Sequence, residues 1–200
     1  MTPRKSSHTV PDHGDWAVPY QPADVADLDP ATADRRGGVP KPPMTDAVHR
    51  VVETEGPIHP DVLLRHLGEL LFEPRPSSIR TRVNSAVDAL KGEGRITEAD
   101  GFLDLPGRPC EQARWPLPGL VPRPVEHVAP AERRRALLGL VEDRPRGLGA
   151  EQAVGEALKF FGWSARNTAA RAKLMADLYR LRDTGTLTGW PDKLEPPAGS

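Results

Sequence analysis

Apolar positions recur at helical spacing in two separate blocks of this chain. From Thr45, Val48, Val51 and Val52 fall at i, i+3 and i+4 and Gly56-Pro57 closes the pattern, predicting a short amphipathic helix. Pro57-Ile58-His59 leaves room for one extended step. Pro60 suits the first turn of a second helix, whose Val62, Leu63, Leu67, Leu70 and Leu71 form one stripe. Ser77 or Ser78 is positioned to cap a third, with Ile79, Val83, Ala86, Val87 and Leu90 on one face and a stop at Gly92-Glu93-Gly94. Arg95-Ile96-Thr97 and Phe102-Leu103-Asp104-Leu105 then flank Asp100-Gly101, a hairpin signal.

The second block repeats this order. A shift of about 91 positions lays Val83, Val87, Leu90, Gly94 and Ile96 over Leu174, Leu178, Leu181, Gly185 and Leu187. Its first helix starts near Ala129-Pro130 with Leu137, Leu138 and Val141 inward. The second spans about Glu151 to Phe161, the third follows Ser164 to about Asp183, and a reduced wing occupies Gly185 to Trp190. The pattern therefore predicts a mainly α, α+β chain of two tandem winged-helix domains, 44–115 and 124–190.

Composition adds the connections. The 23 prolines concentrate before residue 44, between 106 and 124 and at the C-terminal end. Residues 1–43 are expected to be a disordered arm, with Trp16 and Tyr20 as its sole anchor candidates, 116–123 a linker and 191–200 a disordered tail. The formal charge of −1 excludes a protein that coats nucleic acid by charge alone. The first block is roughly −3 and the second roughly +3, so phosphate binding is expected in the second.

The single cysteine, Cys110, excludes an internal disulfide, and the six histidines do not group with it at ligand spacing, so neither a metal nor a cofactor is expected. His59 and His66, seven apart, lack a neighbouring ligand set, and His59 is read as a capping or packing residue. With no signal-peptide pattern and no long apolar run, a soluble cytoplasmic protein is expected. There is no phosphate-binding loop. Asp88, Lys91, Glu93, Glu98 and Asp100 read as solvated charge, and no catalytic residue is assigned.

A helix-turn-helix would present the outward face of its third helix to DNA. In the first block that face carries Thr81, Asn84, Ser85 and Asp88, with Arg80, Arg82 and Lys91 beside them. In the second, Ala172, Met175, Ala176 and Tyr179 form a small apolar centre flanked by Arg171, Lys173, Arg180 and Arg182, with Arg166 and Arg133-Arg134-Arg135 adding charge. The basic flanks suit sequence-tolerant binding of double-stranded DNA; the apolar centre equally suits a protein partner.

The run Val51-Val52-Glu53-Thr54-Glu55-Gly56-Pro57-Ile58-His59, with Ser78-Ile79-Arg80, Gly94-Arg95-Ile96 and Gly101-Phe102-Leu103, resembles an uncharacterised domain of bacterial proteins. That domain lies at the C-terminus of large superfamily 1 helicase-like proteins, after a nuclease-like domain. Pro130-Ala131-Glu132, Phe160-Phe161-Gly162-Trp163, Gly185-Thr186-Leu187 and Pro19-Tyr20 are also similar to the family. The resemblance covers roughly 44–190 and implies association with a DNA-processing or defence helicase or nuclease, without assigning site residues. A free-standing relative, a separate subunit and a fragment are all compatible with it. The expectation is a non-catalytic accessory module that binds DNA; a protein-docking or oligomerising module and a transcriptional regulator are the alternatives.

Overall fold

The computed structural model describes residues 13–24, 44–71, 76–119 and 121–197. The rest of the expected N-terminal arm and the last three residues of the expected tail lie outside them. The chain is α+β, with six helices and short strands among the described residues: β1 (Ala17–Pro19), α1 (Met44–Glu55), α2 (Pro60–Leu71), α3 (Pro76–Gly92), β2 (Thr97–Ala99), β3 (Phe102–Asp104), β4 (Ala113–Trp115), α4 (Pro130–Glu142), α5 (Ala150–Phe160) and α6 (Thr168–Asp183), with a 3-10 turn at Val125–His127. These elements form two compact units that interleave in sequence. One is Gln21–Cys110 with Glu126–Pro130; the other takes the described residues up to Tyr20, Glu111–Val125 and the chain from Ala131 onward.

In the first unit the apolar stripes meet as the pattern requires. Val48, Val51 and Val52 of α1, Val62, Leu63 and Leu67 of α2, and Ile79, Val83, Ala86 and Leu90 of α3 share one core with Ile58, Ile96 and Leu103. The helix at Pro76 begins before Ser77 and Ser78, which stand in its first turn instead of capping it; proline suits that position. Asp100 and Gly101 both take positive φ, 52° and 80°, as a two-residue turn with matching twist demands, and β2 and β3 pair from Ala99↔Phe102 to Thr97↔Asp104. Ile58 exchanges two 2.9 Å backbone bonds with Leu103, adding a third extended segment to the hairpin. Arg108 donates to the α1 carbonyls of Val52 and Glu53 and to Asp104, so it caps a helix end that carries no basic residue of its own in its last turn. A side chain at Gly56 would strike that guanidinium.

The second unit likewise sets three helices in succession, with isolated bridges in place of a hairpin. Ala136, Leu137, Leu140 and Val141 of α4, Ala153, Val154, Ala157 and Leu158 of α5, and Leu174, Leu178 and Leu181 of α6 are buried, and Asn167 caps α6 by accepting from the Ala170 N–H at 3.0 Å. The correspondence reaches single hydrogen bonds. The Leu90 carbonyl accepts from the N–H groups of Arg95 and Ile96; the Leu181 carbonyl accepts from those of Thr186 and Leu187, past Gly185 at φ 73°. Ile58↔Leu103 likewise has a counterpart in Leu148↔Leu194.

Three expected boundaries are corrected. Residues 191–197 are not a disordered tail: Thr188 pairs with Glu195, Leu148 with Leu194, and Leu194 is fully buried. The paired segment after α6 therefore extends past Trp190, and its Leu194 joins the buried core. Residues 13–24 are not a disordered arm. β1 pairs in parallel with β4, and Trp16 is 5% exposed, its ring lying over Gly139, where an added Cβ would come within 2.1 Å. Trp16 Nε1 donates to Asp143 at 3.1 Å, and Phe160 packs 5.2 Å from it. The helix α4 carries glycine in mid-run because an indole occupies that face.

The stretch expected to be a free linker is likewise part of the second unit. Arg123 and Arg114 both donate to Glu132, whose side chain is fully buried. Arg123 also lies over the Tyr20 ring at 4.5 Å, and its carbonyl accepts from Trp163 Nε1 at 2.7 Å.

Candidate nucleic-acid interface

The outward face of α3 is real but electrostatically mixed. Arg80, Thr81, Asn84, Ser85 and Asp88 are exposed and Arg82 is half-buried. Lys91, beyond them, donates to Glu98 at 2.6 Å, and that hydrogen bond raises its pKa. The acidic residues Asp88, Glu93, Glu98 and Asp100 are all exposed, as solvated charges are.

On α6, Leu174, Leu178 and Leu181 turn inward, which leaves Ala172, Lys173, Ala176, Tyr179 and Arg180 exposed and Arg171, Met175 and Arg182 half-buried at the edges. The expected basic flanks divide by their partners. Arg171 pairs with Glu151 at the start of α5. Arg182 lies over two rings, 5.4 Å from Tyr179 and 5.3 Å from Trp190, which themselves stand 4.9 Å apart, and it also reaches Asp183 at 3.2 Å. Arg166, Lys173 and Arg180 are exposed and make no ion pair among the described residues. Of the expected basic flanks of α6, these are the ones not engaged by an ion pair or an aromatic ring.

The arginine run on α4 does not join them. Arg133 is 6% exposed and donates to buried Asp177 of α6 at 2.6 Å; Arg134 approaches the same carboxylate at 3.7 Å. Arg135 bridges to Glu142 at 3.0 Å and to the Glu111 carbonyl. Burial pushes the Asp177 carboxyl up, against the pull of Arg133. For Glu132 the balance reverses: burial raises it, but Arg123 and Arg114 together hold it down at about 2. Two guanidiniums bonded to one carboxylate outweigh desolvation, whereas Asp177 has one close partner, Arg133, with Arg134 and Lys173 acting from farther away.

Sequence reasoning missed three members of these arrangements. Trp190 joins Tyr179 only through the turn after α6, and Asp177 sits among the inward positions of that helix, where a charged residue next to Leu178 is itself a sign of a buried pair. His127 stacks on His59, rings 4.6 Å apart, through a contact between residues distant in sequence. No helix among the described residues is long and apolar enough to cross a membrane. No family model matches the chain, and no curated protein or solved structure is found to be similar to it.

Proposed function

We propose that the chain is a non-catalytic accessory module of two winged-helix domains that binds double-stranded DNA without strong sequence preference, mainly through α6. The observation that carries this reading is the set Arg166, Lys173 and Arg180, exposed on or beside the third helix of the second unit and in no ion pair among the described residues. That helix is the one such folds lay in the major groove, and its small Ala172 and Ala176 permit close approach. A helicase or nuclease as working partner rests on the resemblance of the Glu55-Gly56-Pro57-Ile58-His59 run and its companions.

Fluorescence anisotropy with a labelled duplex tests the reading. Three phosphate contacts give a roughly 40-fold loss of affinity between about 50 and 200 mM salt. Changing Arg166, Lys173 and Arg180 together to Ala abolishes most of that dependence. Absence of binding by the intact chain at low salt rejects the proposal.

The Tyr179–Trp190–Arg182 cluster favours a second reading, docking of a protein on α6. Tyr179 is 44% exposed, large for an aromatic ring, and Met175 and two alanines adjoin it.

A further inference from the structure

We propose that His59, Asp61 and His127 form a binding site for a borderline transition-metal cation of the zinc class. One potential ligand atom from each residue lies within 4.8 Å of the other two, so small side-chain rotations bring all three onto one ion. The site belongs wholly to the first unit.

Each residue reaches the cluster for an identifiable reason. His59 precedes α2, where its carbonyl accepts from the N–H groups of Val62 and Leu63 and its Nδ1 accepts from the Asp61 N–H at 3.1 Å. That bond uses the Nδ1 lone pair, so ligation exchanges the Asp61 N–H for the cation at Nδ1, the nitrogen nearest the Asp61 carboxylate. Phe102 meets the same ring edge-on at 5.5 Å, and the His127 ring stacks on it at 4.6 Å with 30° between planes. Asp61, one residue into the helix, is exposed and able to change rotamer, with its carboxylate 3.8 Å from His59 Nδ1.

Two features separate this cluster from simple ring packing. His127 Nδ1 is buried without a hydrogen-bond partner, a costly condition for an imidazole nitrogen. The third group is a solvent-facing carboxylate, which supplies both charge compensation and an entry path. Two imidazoles and one carboxylate favour Zn²⁺ over Mg²⁺ or Ca²⁺, which prefer all-oxygen sets. Three protein ligands leave a coordination position for solvent.

Calorimetric titration of the chelator-treated full chain with Zn²⁺ at neutral pH tests the site. One equivalent is expected to bind and to raise the melting midpoint, and Mg²⁺ should not compete. His59→Gln, His127→Gln and Asp61→Asn should each weaken binding at least as much as the roughly 10–100-fold cost of losing an outer-shell partner. His49→Gln should bind as the parent does. Asp61 is exposed, so its variant keeps the test valid if a histidine variant misfolds. No saturable binding, or undiminished binding by Asp61→Asn and either folded histidine variant, overturns the site.

Discussion

Glu132 illustrates how strongly one side chain can tie together segments that the sequence scatters. Arg114 and Arg123 come from a stretch dense in proline, and both converge on a carboxylate with no exposed surface. Its pKa falls from 4.5 to about 2, so the interaction contributes fully above about pH 4.5 and is lost as pH falls toward 2. The shift corresponds to about 3 kcal/mol. Glu132→Gln should therefore lower stability by several kcal/mol at pH 7, and the gap from the parent should narrow as the solution is acidified through that window. Denaturant titrations at a series of pH values measure this; a gap independent of pH would show that the charge is not the stabilising feature. By position Glu132 stands in the first turn of α4, where an acidic residue is ordinary. Only the return of Arg114 and Arg123 gives it another role.

Helices were legible at the level of elements because their period is local. The inward positions Val83, Leu90, Leu174 and Leu181 could be named from spacing alone, as could the Asp100-Gly101 turn. What spacing could not show is which outward charges are already spent. Arg171 and Arg182 flank α6 as the helical wheel requires, yet one is bound to Glu151 and the other to two aromatic rings. The apolar centre of the same helix gives the docking reading its own test. If a protein seats on Tyr179, Tyr179→Glu removes proteins captured by the parent chain in pull-downs, since a charge is placed in the middle of the contact. Identical profiles count against that reading.

Across the whole molecule, the two apolar blocks were legible and their boundaries were not. Strand pairing between β1 and β4, and the burial of Leu194, depend on residues far apart that no local period connects. The block 124–190 consequently lacks Trp16, Arg114, Arg123, Leu194 and Glu195, all of which the second unit uses. Expressed alone, that fragment should fail to give a cooperative thermal transition, while residues 13–197 should give one; circular dichroism melts distinguish the two. A cooperative melt of the short fragment would refute this account of the boundary.

The seat of Trp16 against Gly139 and Asp143 also bears on synthesis. Its indole and Asp143 are separated by 127 positions, so this early-emerging residue has no docking place until α4 has left the ribosome. All of Gln21–Cys110 is made during that wait. The segment around Trp16 is thus fastened only after a whole other unit has been made, and its tryptophan stays unshielded through that interval.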